Sequence, residues 1–326
     1  MRKNILVARR APAAVIEQLS AQFDVDAVQG ETVLTPDELR ARLQGKAGAY
    51  ITGSERITAD LLDACPELRV VSTMSVGYNH IDLAACTARR VLVTNTPDVL
   101  TETTADFGFA LLMATARRMS EGERLLRDGQ WKRWSWDYLA GSDIHGATLG
   151  ILGMGRIGQA IARRGHLGFG MKVIYHNRSR LPADIEGQLG ARYVSKDELL
   201  READHLILVL PYSAEAHHCI AAGEIALMKP TATLVNIARG GVVDEDALAA
   251  ALREHRIAAA GLDVFEGEPK VNPALLTLPN VVLTPHIASA TMPTRLAMAQ
   301  LAADNLVAAL TGTVPPTPLN PEILPA

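Results

Sequence analysis

Short apolar runs alternate with helical patterns along almost all of this 326-residue chain, which predicts an α/β fold of parallel sheets covered by helices on both faces. Two observations sharpen that reading. Several of the apolar runs are continuous rather than alternating, as in strands buried on both sides. The length also exceeds what one hydrophobic core usually serves, so two domains are expected.

Asn4–Ala8 reads as a strand, and Pro12 suits the first helical position before Ala13–Leu19. Thr35-Pro36-Asp37-Glu38 is a capping box that starts a helix. Ala47–Thr52 is the next strand, Thr58 caps another helix, and Arg69–Thr73 and Val91–Thr94 are further strands. Thr101–Arg118 is different. Phe107, Phe109, Leu111, Leu112 and Met113 leave it almost no polar face, so it should be buried all round, crossing between domains or lying in a subunit interface. Arg124–Asp143 then gathers all three tryptophans (Trp131, Trp134, Trp136) and Tyr138, which reads as an interface arm in preference to a local mini-core.

From Ala147 a second alternating unit begins. Leu149–Leu152, Lys172–His176, His205–Leu210, Thr233–Ile237, Ala258–Asp263 and Val281–Leu283 are its strands, with a capping box at Ser195-Lys196-Asp197-Glu198 between them. Asp244-Glu245-Asp246 is the acidic first turn of a helix. Thr291–Thr311 forms one long helix, and Val314–Ala326 is an extended, proline-rich tail.

The first strand of that unit runs into TLGILGMGRIG at 148–158, where Gly153, Gly155 and Gly158 have the spacing GxGxxG before a helical run. Strand, glycine turn and helix start in that order make a dinucleotide-binding fingerprint. Gly153 permits the tight turn, Gly155 lets the backbone approach a pyrophosphate, and Gly158 lets helix and strand pack closely. Amides at the helix start, with Arg156 and Ile157, then hold the phosphate charge.

An NAD-selective site usually carries an acid about 20 residues further on, bonded to the ribose hydroxyls. Here Asn177 takes that position, followed by Arg178, Ser179 and Arg180. A carboxylate would repel a 2′-phosphate, whereas neutral and cationic groups accept one. NADP(H) is therefore preferred, with NAD(H) the second candidate.

The bulk properties exclude several classes. With 32 basic and 36 acidic residues the net charge is −4, which gives no electrostatic footprint for nucleic acid or an anionic membrane. Cys65, Cys86 and Cys219 are far apart and lack CxxC spacing, so reduced thiols in a cytoplasmic protein are expected. The start MRKNILVARR is too short in apolar residues for a signal-peptide core, and no later stretch approaches a membrane span. His80, His145, His205, His217 and His218 read as structural, and no cluster has metal-ligand spacing, so no metal is expected.

Three strand ends carry unusual polar residues: Asn236-Ile-Ala-Arg239-Gly-Gly, Asp263-Val-Phe-Glu-Gly-Glu268-Pro and Thr284-Pro-His286-Ile-Ala-Ser289. Ligands in open α/β sheets gather at the carboxyl ends of strands, so these can converge. Arginine's planar fork clamps a carboxylate or polarises a carbonyl, histidine delivers a proton near neutral pH, and a neighbouring glutamate favours the charged imidazolium. That set suits reduction of a 2-oxo acid. Glu266 competes with Glu268 for the glutamate's role.

With VGYNHID at 76–82, GMGRIG at 153–158, NIARGG at 236–241, DVFEGEP at 263–269 and PHIASAT at 285–291, the chain resembles the D-isomer-specific 2-hydroxyacid dehydrogenases over essentially its whole length, most closely the glyoxylate/hydroxypyruvate reductase branch. The resemblance implies two Rossmann-like or flavodoxin-like domains with a cleft between them. The substrate domain would comprise 1–100 and 290–326, the dinucleotide-binding domain 101–289, and homodimers would form through the latter. It places the catalytic histidine at His286, its paired glutamate at Glu268 and the substrate-binding arginine at Arg239. Backbone amides at Val76 and Gly77 would receive the substrate carboxylate, with Ser289 near the same pocket. Thr104, Pro211 and Asp263 would touch the cofactor, Asp263 at the nicotinamide amide. The implied reaction is reduction of glyoxylate or hydroxypyruvate. A reductase of a larger 2-oxo acid such as 2-ketogluconate, or a nucleotide-sensing regulator resembling the corepressors of this fold, stands as the alternative.

Overall fold

The computed structural model describes residues 2–30 and 32–324. The chain divides into two compact units, 1–100 with 291–326, and 101–290.

In the first unit, β1 (Asn4–Val7), β2 (Asp24–Ala27), β3 (Gly48–Ile51), β4 (Val70–Thr73) and β5 (Leu92–Thr94) form a parallel sheet in the order β2-β1-β3-β4-β5. β2 goes unannounced by the sequence. Its DVDA is an edge strand with no run of apolar residues, and pairing with β1 rather than burial defines it. The capping box at Thr35 forms as expected, with Glu38 N–H donating to Thr35 Oγ1 at 3.3 Å and Thr35 N–H to Glu38 Oε2 at 2.8 Å. The helix Met292–Thr311 packs on β3 and β4, and Ala299, Ala302, Ala303 and Leu306 enter a core with Ile5, Val7 and Tyr50. The following segment is less extended than expected, with a short 3-10 turn at Pro321–Ile323. Asn320 pins it to β5 by accepting from Val93 N–H at 2.9 Å and donating to Val91 O at 3.0 Å. Pro325 and Ala326 lie outside the described residues.

The second unit is built on seven parallel strands: β6 (Thr148–Leu152), β7 (Lys172–His176), β8 (Ala191–Tyr193), β9 (His205–Leu208), β10 (Thr233–Asn236), β11 (Ala259–Leu262) and β12 (Val281–Leu283). Their order is β12-β11-β10-β9-β6-β7-β8. Both faces are covered. Leu206, Leu208 and Leu234 join one core cluster, while Ile207 and Val235 join the other with Leu149 and Ile151. This is why the strands read as continuous apolar runs. β8 is the second unannounced strand, three residues long and at the sheet edge. Strand order reverses between β6 and β9, which makes their carboxyl ends a topological switch point.

The apolar helix runs Thr101–Ala116, and a second helix, Met119–Arg127, follows Arg118 in the left-handed region. The helix Thr101–Ala116 packs on the helix Arg156–Arg163 and on β10 and β11, and within the single chain it is not buried all round. Its outer edge is solvated through ion pairs, with Glu102 2.7 Å from Arg163 and Asp106 2.5 Å from Arg164. Trp134 and Trp136 are 76% and 87% exposed. Cys65 and Cys86 are buried free thiols and Cys219 is half-buried. No helix of the described residues is long and apolar enough to cross a membrane.

Candidate active site

The glycine turn sits where the switch point requires it. Gly153 has φ +100°, and a Cβ there would lie 2.8 Å from the amide nitrogen of Leu210, just past β9. A Cβ on Gly158 would fall 2.3 Å from the carbonyl oxygen of Gly153, so helix and turn approach as closely as backbones can. Gly155 differs from both. Nothing lies within 4 Å of the Cβ it lacks, and it caps the helix Arg156–Arg163. Open space over the first amides of a helix is what a pyrophosphate needs. Within the same unit, Thr104 is buried, and its Oγ1 has no hydrogen-bond partner among the described residues. A buried hydroxyl left so is costly unless a ligand completes it. Both observations fit a dinucleotide held by Gly153–Gly158 and Thr104. Pro211, exposed just past β9, borders the same switch point.

At the end of β7 the four predicted residues divide. Asn177 Nδ2 donates to Ser179 O at 3.1 Å, which shapes the turn, and Arg178 is exposed. Arg180 is drawn away by Glu186, to which its Nη2 donates at 2.7 Å and its Nε at 3.0 Å. Glu186 also accepts from Tyr175 Oη at 2.7 Å, and the Arg180 and Tyr175 bonds hold its carboxyl below the ordinary glutamate value. Sequence reasoning missed this acid, which is nine residues past Asn177 on a different element.

The chemistry-bearing side chains gather at the carboxyl ends of β10, β11 and β12. Glu268 Oε2 lies 2.8 Å from His286 Nδ1, and Glu268 Oε1 accepts from Phe265 N–H at 2.9 Å. Burial opposes ionisation of Glu268, but the His286 bond and charge, the Phe265 amide and the Arg239 charge outweigh it and hold the carboxyl below its usual value. An ionised Glu268 accepts only, so His286 Nδ1 carries a proton and Nε2 is the nitrogen left for another partner. Glu266, the competitor, engages His218 instead, at 2.9 Å.

Arg239 follows β10, and its Nη1 donates to Ala238 O at 2.7 Å. Burial pulls its guanidinium below the ordinary arginine value, and the Glu268 charge opposes that shift. Gly240 is what lets this segment meet the loop after β11, since a Cβ there would sit 1.9 Å from the carbonyl oxygen of Phe265. Ser289 is half-buried three residues after His286.

Asp263 has a role that its sequence position did not disclose. It is fully buried, with Oδ1 accepting from Thr284 Oγ1 at 2.7 Å and Ile287 N–H at 2.8 Å, and Oδ2 from Ala288 N–H at 2.9 Å. Burial raises its carboxyl above the ordinary aspartate value despite these donors. Asp263 thus holds the His286 loop through both carboxylate oxygens.

In the other unit, the loop after β4 carries Val76 and Gly77. Val76 O accepts from Asn95 Nδ2 at 2.8 Å, and Gly77 O from Ser75 Oγ at 2.8 Å. In a trans peptide the C=O and the following N–H point opposite ways. Anchoring the Val76 carbonyl on Asn95 therefore points the Gly77 amide away from Asn95.

Residues 109–288 match the D-isomer specific 2-hydroxyacid dehydrogenase, NAD binding domain. The chain belongs to the D-isomer-specific 2-hydroxyacid dehydrogenases. It is 47% identical to the glyoxylate reductase of Thermococcus onnurineus, over 99% of this chain and 98% of that protein. It is 46% identical to glyoxylate/hydroxypyruvate reductase B of Klebsiella pneumoniae, over 99% of this chain and all of that protein. The crystal structure of the NADPH-dependent glyoxylate/hydroxypyruvate reductase of Sinorhizobium meliloti, in complex with NADP and malonate, superposes with a TM-score of 0.87. That pair is 36% identical, with 100% of this chain and 99% of that one covered. Membership in this family makes the chain an oxidoreductase.

Proposed function

We propose that the chain reduces small 2-oxo acids, glyoxylate to glycolate and hydroxypyruvate to D-glycerate, with NADP(H) preferred. The observation that carries this reading is the 2.8 Å contact between Glu268 and His286, with the Arg239 charge close enough to act on Glu268. A nicotinamide cofactor, its pyrophosphate held at Gly153–Gly158, supplies the hydride when bound. His286 passes a proton from Nε2 to the substrate carbonyl oxygen, while Glu268, accepting from Nδ1, aims the ring. Arg239 orients the acid, and the Val76 and Gly77 amides receive its carboxylate. Arg178, Asn177 and Ser179 favour a 2′-phosphate, with Arg180 sharing its charge between that phosphate and Glu186. Names of relatives that act on glyoxylate and hydroxypyruvate support the substrate class.

The same reading includes a homodimer. Trp134 and Trp136 are too exposed for a lone chain to gain from them, and a partner's surface would remove that area from water.

The test is initial rates, followed by nicotinamide absorbance, with glyoxylate and hydroxypyruvate each against NADPH and NADH. Turnover with a clear NADPH preference is expected. Activity with NADH alone would overturn the cofactor reading and leave the catalytic one standing. No turnover with any pairing would favour a larger 2-oxo acid or a regulatory role.

A further inference from the structure

His217 and His218 take no part in the proposed reduction, yet their side chains meet. The two imidazoles stack with centroids 3.9 Å apart and planes 20° from parallel. His218 has φ +48°, a left-handed conformation that side-chain-bearing residues mostly avoid, and its N–H is held by Gly241 O at 2.7 Å. Glu266 reaches the pair from the loop after β11, with Oε2 2.9 Å from His218 Nε2. One donor atom from each of the three lies within 4.8 Å of the others. The Tyr212 hydroxyl, 3.1 Å from His217 Nδ1, orients that ring from behind, as outer partners of metal-ligating imidazoles do.

A second observation concerns charge. His218 and Glu266 open on a cleft of about 690 Å³ also lined by Asp244, Glu245, Asp246 and Lys270. The first three carboxylates are already held by protein donors: Asp244 by the Ala247 amide, Glu245 by the Glu266 amide and Asp246 by Asn272. Asp244 and Asp246 add negative potential that draws a cation, with Lys270 opposing it, while burial raises the Glu245 carboxyl above its ordinary value.

We propose that His217, His218 and Glu266 form a binding site for a divalent transition-metal ion, with Zn²⁺ the preferred occupant. Two imidazoles and a carboxylate suit Zn²⁺ with a fourth position left to water, whereas Ca²⁺ and Mg²⁺ want oxygen donors. Zinc bonds of about 2.0–2.1 Å put tetrahedral ligand atoms roughly 3.3 Å apart. The donor atoms now lie within 4.8 Å of one another, and His217 and Glu266, two of the three ligands, are exposed side chains. An ion there would tie the loop that carries Glu268 to the segment after β9.

Calorimetric titration of the purified, chelator-stripped full chain with zinc chloride tests this. One ion per chain is expected, with Kd on the order of micromolar. His218→Ala and Glu266→Gln should each weaken binding by about tenfold or more. His255→Gln, in the exposed turn after the helix Glu245–Arg253, should bind as the parent does. Should His218→Ala fail to fold, His217→Gln on the exposed neighbour puts the same question. No saturable binding by the parent, or equal affinity in parent and ligand variants, overturns the proposal.

Discussion

The amide of His286 donates to the carbonyl oxygen of Asp263 at 2.8 Å, and His286 is held at φ +52°. The histidine thus occupies a backbone conformation that a side chain disfavours, and Asp263 stabilises it by collecting the next two amides on its carboxylate. Asp263→Asn keeps the volume but presents an NH₂ group where donors already point. Leaving a buried donor unmet costs about 1–3 kcal/mol. The variant is expected to melt several degrees lower and to lose kcat with little change in cofactor KM. A loss of cofactor affinity with unchanged kcat would instead assign Asp263 to the nicotinamide.

His286→Ala is expected to cut kcat by about 10²–10⁴ while NADPH binding, measured by fluorescence titration, stays nearly intact. Glu268→Gln, which retains an acceptor but loses the charge, should fall less far. Equal losses in turnover and cofactor binding would remove His286 from the chemistry.

The glycine turn separates stability from binding. Gly153→Ala meets both a positive φ and backbone at 2.8 Å, and should destabilise the chain by about 1–3 kcal/mol. Gly155→Ala meets nothing within 4 Å. Its melting temperature should match the parent's while its cofactor KM rises, because the new methyl occupies the space kept for phosphate. Unchanged KM would place the cofactor elsewhere.

Arg178→Ala should raise KM for NADPH by about 10–100-fold and leave NADH alone, since a charge-assisted hydrogen bond contributes about 1.5–3 kcal/mol. Arg180→Ala should do less, because Glu186 already holds that guanidinium. Glu186→Gln, which releases Arg180, should lower KM for NADPH. Equal effects at both arginines would contradict the pairing.

Asp204 clamps the starts of three strands, accepting from Thr148 N–H at 2.8 Å and Lys229 Nζ at 2.7 Å. Burial pushes its carboxyl up, but the Lys229 and Thr148 bonds prevail and hold it below the ordinary aspartate value. A depressed carboxyl contributes stability that is complete above the unfolded aspartate pKa and lost as pH falls through the folded one. Asp204→Asn should therefore melt below the parent at neutral pH, and the gap should close as pH falls below about 4. A gap that persists at acid pH would mean the charge contributes nothing.

What the sequence alone determined is local. A Thr or Ser with a Glu three residues on can cap a helix from local sequence alone, as at Thr35–Glu38 and Ser195–Glu198. Continuous apolar runs mark strands buried on both faces, and glycines at 153, 155 and 158 mark a phosphate turn, because backbone sterics act over a few residues. Family motifs extended this reach to Arg239, Glu268 and His286, whose order along the chain is recognisable without coordinates. The tertiary structure decided the rest. β2 and β8 exist because a neighbour's edge is there to pair with, not because their composition demands it. Strand order, and so the switch point beside Gly153, depends on how crossovers close. Glu186 takes Arg180, Asp263 holds the His286 loop, and Glu266 meets His217 and His218 through contacts between elements that sequence spacing does not encode. Hydrogen bonding and coordination act over about 3 Å of space, whatever the distance along the chain.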